Sequence, residues 1–119
     1  MTKIFDIQQT IISANGNTTL AKDLFKMLLD DIDIRYQQIQ SSFKENNYQV
    51  LAEHAHKLYG ATAYCIVPRL REATRLLDEA LSANELTQLE QLVSNVLNEI
   101  KQLMQSGEDY LQQDWVEES

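Results

Sequence analysis

Apolar residues recur at helical spacing in several blocks along the chain, and clusters rich in Asn separate the blocks. From about Thr18 to Lys44 the apolar positions are Leu24, Leu28, Ile32, Tyr36, Ile39 and Phe43, three or four residues apart, as one face of a helix requires. Asn46-Asn47 breaks the pattern, and Asn47 is suited to cap a helix running from about Tyr48 to Cys65. Pro68 opens the next helix, since proline is well tolerated in a first turn; its face is Leu70, Ala73, Leu77 and Leu81. Ser82-Ala83-Asn84-Glu85 has the S-x-x-E form of a capping box and predicts the start of a last helix. Leu89, Val93, Val96, Ile100 and Leu103 lie on one seam of that helix, which extends toward Gln113, with Gly107 weakening the end. A short apolar stretch, Ile4 to Ile12, precedes the turn chemistry of Asn15-Gly16-Asn17.

Four amphipathic helices with short connections bury their stripes best as an antiparallel four-helix bundle. The predicted fold is therefore all-α: one domain over residues 1–119, with a short extra N-terminal helix. Residues 1–16 cap one end of the bundle, and the acidic tail, Asp114 to Ser119, is expected to fray.

Composition supports this picture and narrows the function. Three Gly and one Pro among 119 residues suit helices better than strands and turns. The net charge of −8 argues against nucleic acid as a partner, because a phosphate backbone would be repelled. The single Cys excludes an internal disulfide and fits a reducing cytosol. No signal peptide is read at the N-terminus, and no apolar run approaches the length of a membrane span. A cytoplasmic domain making no membrane contact is expected.

Both histidines fall in the third predicted helix. At about 100° per residue, His54 lies roughly 160° from His56, within the apolar sector of Leu51, Leu58, Ala61 and Cys65. The two cannot share a metal on a regular helix, which needs i, i+3 or i, i+4 spacing. His54 and Cys65 read as core or boundary residues. His56 points the other way. Ala52, Gly60 and Ala63 border it, with Glu53, Lys57 and Tyr59 further round. A solvated face normally carries long polar side chains, and a glycine inside a helix costs about 1 kcal/mol relative to alanine. Small residues around an outward imidazole suit a surface that another protein must approach closely.

A lone imidazole limits the chemistry. No Ser or Cys nucleophile lies beside His56, Glu53 is its only carboxylate within a helical turn, and the chain has no Gly-rich phosphate loop. An ordinary imidazole is mostly neutral at pH 7, and a neutral ring nitrogen can act as a nucleophile. Phosphoryl transfer asks little of an acceptor beyond position, provided the partner supplies metal and charge stabilisation.

His56-Lys57-Leu58-Tyr59-Gly60-Ala61 resembles the H-x-L-x-G-A core of histidine-containing phosphotransfer (HPt) domains. Tyr64-Cys65-Ile66-Val67-Pro68-Arg69-Leu70 is similar to the helix–loop–helix that follows the histidine in the C-terminal HPt domains of BarA/GacS-type hybrid sensor kinases. The resemblance implies a four-helix bundle and a phosphorelay role. His56 would take a phosphoryl group from a receiver-domain aspartate and pass it to another receiver. It implies that the position of Gly60 keeps a docking surface open, and the helical wheel extends that face to Ala52, Glu53, Lys57, Tyr59 and Ala63. The resemblance implies no ATP site and no cofactor of the domain's own, the Mg²⁺ belonging to the receiver. A monomer is expected, free or as the cytosolic end of a membrane-anchored kinase. Two departures stand out. Tyr59 takes the place where many members have Lys, leaving Lys57 and Arg69 as candidates for positive charge beside the phosphoryl group. Ile66 takes the place of a common loop Gly. Arg71 and Arg75 are further candidates for positive potential or a rim contact. The competing readings are a structural or adaptor bundle and a histidine kinase dimerisation domain. In the latter the histidine is usually followed by an acidic residue and soon by Pro, whereas here Lys57 follows and Pro comes only at 68.

Overall fold

The computed structural model describes residues 2–116. Among the described residues there are five helices: α1 (Ile7–Ser13), α2 (Thr18–Lys44), α3 (Tyr48–Ala61), α4 (Pro68–Ser82) and α5 (Leu89–Gln112). Helices α2 to α5 form the bundle, in which α2 packs on α3, α3 on α4, α4 on α5 and α5 back on α2. The core is one apolar column that includes Phe25, Ile32, Ile39, Leu51, Leu58, Leu70, Leu77, Val96, Ile100 and Leu103.

Asparagine sets three of the helix ends. Asn15, Asn46 and Asn84 each adopt a left-handed backbone, with φ near 55°, one residue beyond the C-caps of α1, α2 and α4. After each, the next N–H reaches back to a carbonyl of the last turn: Gly16 to Ile11 at 2.9 Å, Asn47 to Ser42 at 2.9 Å and Glu85 to Ala80 at 2.8 Å. This closure satisfies carbonyls that the helix end would leave open. It also corrects the capping box expected at Ser82–Glu85. Ser82 is the last residue of α4, Asn84 is its stop signal, and α5 begins only at Leu89. Asn17 and Asn47 cap α2 and α3 through their side chains, and Pro68 opens α4 as expected.

Two further expectations need correction at the far end of α5. Helix α5 runs through Gly107 without a break. The glycine is buried, and a Cβ there would meet the Leu29 methyl groups at 2.9 Å, so its lack of a side chain brings α5 close to α2. Nor is the start of the tail frayed. Trp115 is buried beside Phe5 and Phe25, whose rings stack at 4.0 Å, and its indole N–H donates to the Tyr110 carbonyl at 2.9 Å. Aromatic burial of this size outweighs the acidity of the segment. Residues 117–119 lie outside the described residues.

The N-terminal segment packs against the bundle through α1. Ile11 is fully buried, and α1 grips the α3–α4 loop: the Asp6 N–H donates to the Ile66 carbonyl at 2.8 Å, and the Ile66 N–H donates to Thr10 Oγ1 at 3.0 Å.

Candidate functional site

The rotation of α3 follows from its buried stripe. Leu51, Ala55 and Leu58 are fully buried, one helical repeat apart. Each buried leucine is worth about 2 kcal/mol relative to exposure, so turning α3 to bury His56 would cost several times what an imidazole could return. His56 is left with its side chain 77 % exposed, and Glu53, Lys57, Gly60 and Ala63 are exposed around it. Ala52 and Tyr59 are half-buried on the flank toward α4.

Helix α3 is shorter than its pattern suggests. It ends at Ala61 rather than Cys65, because the Thr62 hydroxyl bonds back to the Tyr59 carbonyl at 2.6 Å while α1 holds the loop that follows. Gly60 is therefore next to last in the helix, not in its middle. A Cβ on Gly60 would have no heavy atom within 4 Å, so packing does not require glycine there. Ala63 and Cys65 lie beyond the helix, so helical periodicity does not set their directions. Cys65 is buried, and burial pushes its thiol up to about 12, which makes it unreactive.

A carboxylate that sequence reasoning did not find stands beside His56. Asp78 on α4 brings Oδ2 to 3.4 Å from His56 Nδ1, with its own side chain only 19 % exposed. A carboxylate only accepts, so the contact favours the tautomer with the proton on Nδ1 and the lone pair on Nε2. Only the antiparallel register of α3 and α4 joins the two residues. A signal existed in α4, where Arg71, Thr74, Arg75 and Asp78 form a polar stripe beside the apolar one, but nothing in the sequence pairs that stripe with α3.

The other predicted residues scatter. Lys57 faces α2, over a groove of about 590 Å³ that Met27, Ile34 and Tyr64 also line. Arg69 does not belong to the His56 face at all: it pairs with Glu99 of α5 at 3.0 Å and donates to Gln102 at 3.0 Å. That neutralising partner corrects its assignment as charge beside the phosphoryl group. Arg75 is held between Glu72 and Glu79 on the surface of α4. Arg71 lies against Tyr59 and Thr62 at the end of α3. His54 is not in the core but at the α2–α3 seam, half-buried, where Arg35 Nη1 lies 3.1 Å from its Nδ1.

The chain and its four-helix bundle have counterparts among known proteins. A model of the Hpt domain family matches residues 23–110. The chain belongs to the Hpt domain family. It is 32 % identical over 83 residues to the sensor histidine kinase GacS of Pseudomonas protegens, covering 70 % of this chain and 9 % of that protein. It is 28 % identical over 107 residues to the signal transduction histidine-protein kinase BarA of Escherichia coli K12, covering 83 % and 12 %. The chain thus spans about a tenth of the length of these curated relatives. Among solved structures, the HPT domain of a sensor hybrid histidine kinase from Shewanella superposes with a TM-score of 0.85 at 26 % identity, covering 91 % of this chain and 93 % of that one. The histidine-containing phosphotransfer protein B of Pseudomonas aeruginosa PAO1 shares the fold, with a TM-score of 0.78 at 16 % identity over 94 % and 97 % of the two chains. The expected all-α bundle and the resemblance to HPt domains both hold, and with them a phosphorelay module of two-component signalling, a family that interacts with receiver domains. Among the described residues, no helix is long and apolar enough to cross a membrane.

Proposed function

We propose that His56 is the phosphoryl acceptor and donor of this Hpt domain. The observation that carries the reading is an outward imidazole whose Nδ1 rests on Asp78 at 3.4 Å, bordered by an alanine and by a glycine with open space above it. The Nε2 lone pair attacks the phosphorus of a receiver's aspartyl phosphate. An N–P bond forms, the acyl O–P bond breaks, and its electron pair leaves with the aspartate as carboxylate. The proton stays on Nδ1, where the Asp78 carboxylate offsets the positive charge the ring gains. The reverse reaction loads the next receiver. The Mg²⁺ and the rest of the charge stabilisation are the receiver's. The docking face is Ala52, Glu53, Tyr59, Gly60 and Ala63, with Lys57 at its α2 edge as the nearest mobile cation. The domain works in the cytoplasm as a monomer, alone or as part of a longer sensor kinase, and has no ATP site of its own.

The test is to incubate the chain with receivers charged by acetyl phosphate, and separately with ATP and Mg²⁺. Acid-labile label on His56 from a receiver, with none from ATP alone, is the expected result. Self-labelling from ATP would overturn the reading in favour of a kinase. Absence of label from every receiver would point to an adaptor bundle.

A further inference from the structure

Tyr59 stands three residues after His56, on the side of α3 that faces α4. A long side chain on a helix normally leans toward the helix N-terminus and covers the residue one turn back. For Tyr59 that residue is His56. Arg71 holds the tyrosine elsewhere. Its guanidinium carbon lies 4.5 Å from the centre of the Tyr59 ring, Nη2 donates to the Tyr59 hydroxyl at 3.2 Å, and Nη1 donates to Thr62 Oγ1 at 3.0 Å. One rigid fork thus ties the Tyr59 hydroxyl to the Thr62 hydroxyl at the C-cap of α3. Asp78, which meets His56, lies two turns further along α4.

Arg71 also differs from the other arginines. Arg35 pairs with Asp31, Arg69 with Glu99, and Arg75 with Glu72 and Glu79. Among the described residues Arg71 has no carboxylate partner, and its side-chain bonds go to the hydroxyls of Tyr59 and Thr62. In a chain with 18 acidic and 10 basic residues, this guanidinium is bound to neutral groups, beside the open face of α3.

We propose that Arg71 is a positioning residue for phosphoryl transfer, holding the Tyr59 ring toward Thr62 and so keeping the approach to His56 Nε2 clear. The inference rests on the reading of His56 as the phosphoryl acceptor. When the fork is lost, the ring takes its ordinary helical rotamer over the imidazole, in the space an incoming aspartyl phosphate must use. The ring can still move aside, so the effect is a shift of population rather than a block.

The test uses the whole chain as Arg71→Gln, Tyr59→Ala and the double variant. It reads the C–H resonances of the His56 ring, the melting temperature, and the rate of labelling by a charged receiver that labels the wild type. Arg71→Gln is expected to shift the His56 ring resonances through the tyrosine ring current and to slow labelling about fivefold. Adding Tyr59→Ala should bring the rate back to that of Tyr59→Ala alone, while the melting temperature stays lowered. A purely structural clamp would give no such rescue. Unmoved His56 resonances, or a slowing that Tyr59→Ala does not relieve, overturn the proposal. If Arg71→Gln does not fold, Tyr59→Phe, which removes only the hydroxyl held by Nη2, must move the same resonances in the same direction; no movement overturns the proposal. If no receiver labels the wild type, the reading of His56 fails, and the resonance shifts report separately whether Arg71 restrains the ring.

Discussion

His54 and His56 are two residues apart in sequence and about 160° apart around α3, and each has a partner at its Nδ1. His54 faces α2, where Arg35, which can only donate, lies 3.1 Å away. His56 faces α4, where Asp78, which as a carboxylate can only accept, lies 3.4 Å away. The two partners select opposite tautomers. His54 gives its Nδ1 lone pair to the guanidinium and carries its proton on Nε2, so it has no free nucleophilic nitrogen. His56 gives its Nδ1 proton to the carboxylate and leaves the Nε2 lone pair facing solvent. Position in the helix decides which histidine can be reached, and the neighbouring helix decides which nitrogen can react.

The sharpest way to break this comparison is to remove each imidazole in turn. His56→Gln should abolish acid-labile labelling by a charged receiver. Its effect on the melting temperature should be slight, since exposed substitutions usually fall within about 0.5 kcal/mol. Label that persists in His56→Gln and disappears in His54→Gln would reverse the assignment.

Gly60 comes next in size. Gly60→Glu places a long carboxylate on the proposed docking face, and positional errors near 1 Å already cost about 100-fold, so transfer should slow by at least about 100-fold. Stability should be unchanged or slightly higher, because glutamate is the better helix former, although the gain is smaller near a helix end than within it. Gly60→Ala should be nearly neutral, as its Cβ enters open space. Gly107→Ala is the packing case: its Cβ would meet the Leu29 methyl groups at 2.9 Å, so Leu29 must turn aside against a helix-propensity gain of about 1 kcal/mol, and any change should appear in the melting temperature while labelling of His56 stays unchanged. Thermal melts of the three variants beside labelling rates separate a docking glycine from a packing one.

What could be read from the sequence follows from the range of each interaction. The helices and the outward face of His56 depend on spacing within one helix, and apolar periodicity carries that directly. The end of α3 does not: Thr62 and the hold of α1 on the loop stop the helix four residues before the apolar pattern runs out. Asn84 has the same left-handed stop as Asn15 and Asn46, yet the S-x-x-E around it imitates a helix start. The partners of the site were the least legible. Asp78 lies 22 residues from His56 and Glu99 lies 30 from Arg69, so only the register between helices decides that the first stands beside His56 and the second neutralises Arg69. Trp115 was lost for the same reason, since its apolar partners Phe5 and Phe25 lie at the other end of the sequence.

Asp78→Asn tests the tautomer half of the comparison. The amide keeps the size of the carboxylate, removes its charge, and can donate as well as accept, so His56 loses its fixed choice of nitrogen. Charge-assisted hydrogen bonds are roughly twice as strong as neutral ones, and His56 is largely exposed, so a slowing of about five- to tenfold is expected rather than abolition. ¹⁵N shifts of the His56 ring should show the Nδ1–H form losing population in the variant. An unchanged tautomer ratio together with an unchanged rate would mean that Asp78 does not orient the ring.

The smallest effect belongs to His54, and it appears in stability rather than transfer. Partial burial and the Arg35 and Lys57 charges hold its pKa below the ordinary 6.5, with Glu53 opposing. The unfolded chain, where His54 titrates normally, therefore takes up the proton first as the pH falls. Stability from neutral His54 is fully present above pH 6.5 and is lost as the pH drops through its lowered folded value. His54→Gln has no such proton to take up. Between about pH 7 and pH 5, the wild type should lose slightly more melting temperature than the variant. Carboxylates that titrate lower in this range are common to both proteins and cancel in the difference. Labelling of His56 should be unaffected at every pH in the series. A His54→Gln protein whose melting temperature falls as steeply as that of the wild type would show that Arg35 does not keep His54 neutral, and the contrast between a histidine held by a donor and one held by an acceptor would fail on its quieter side.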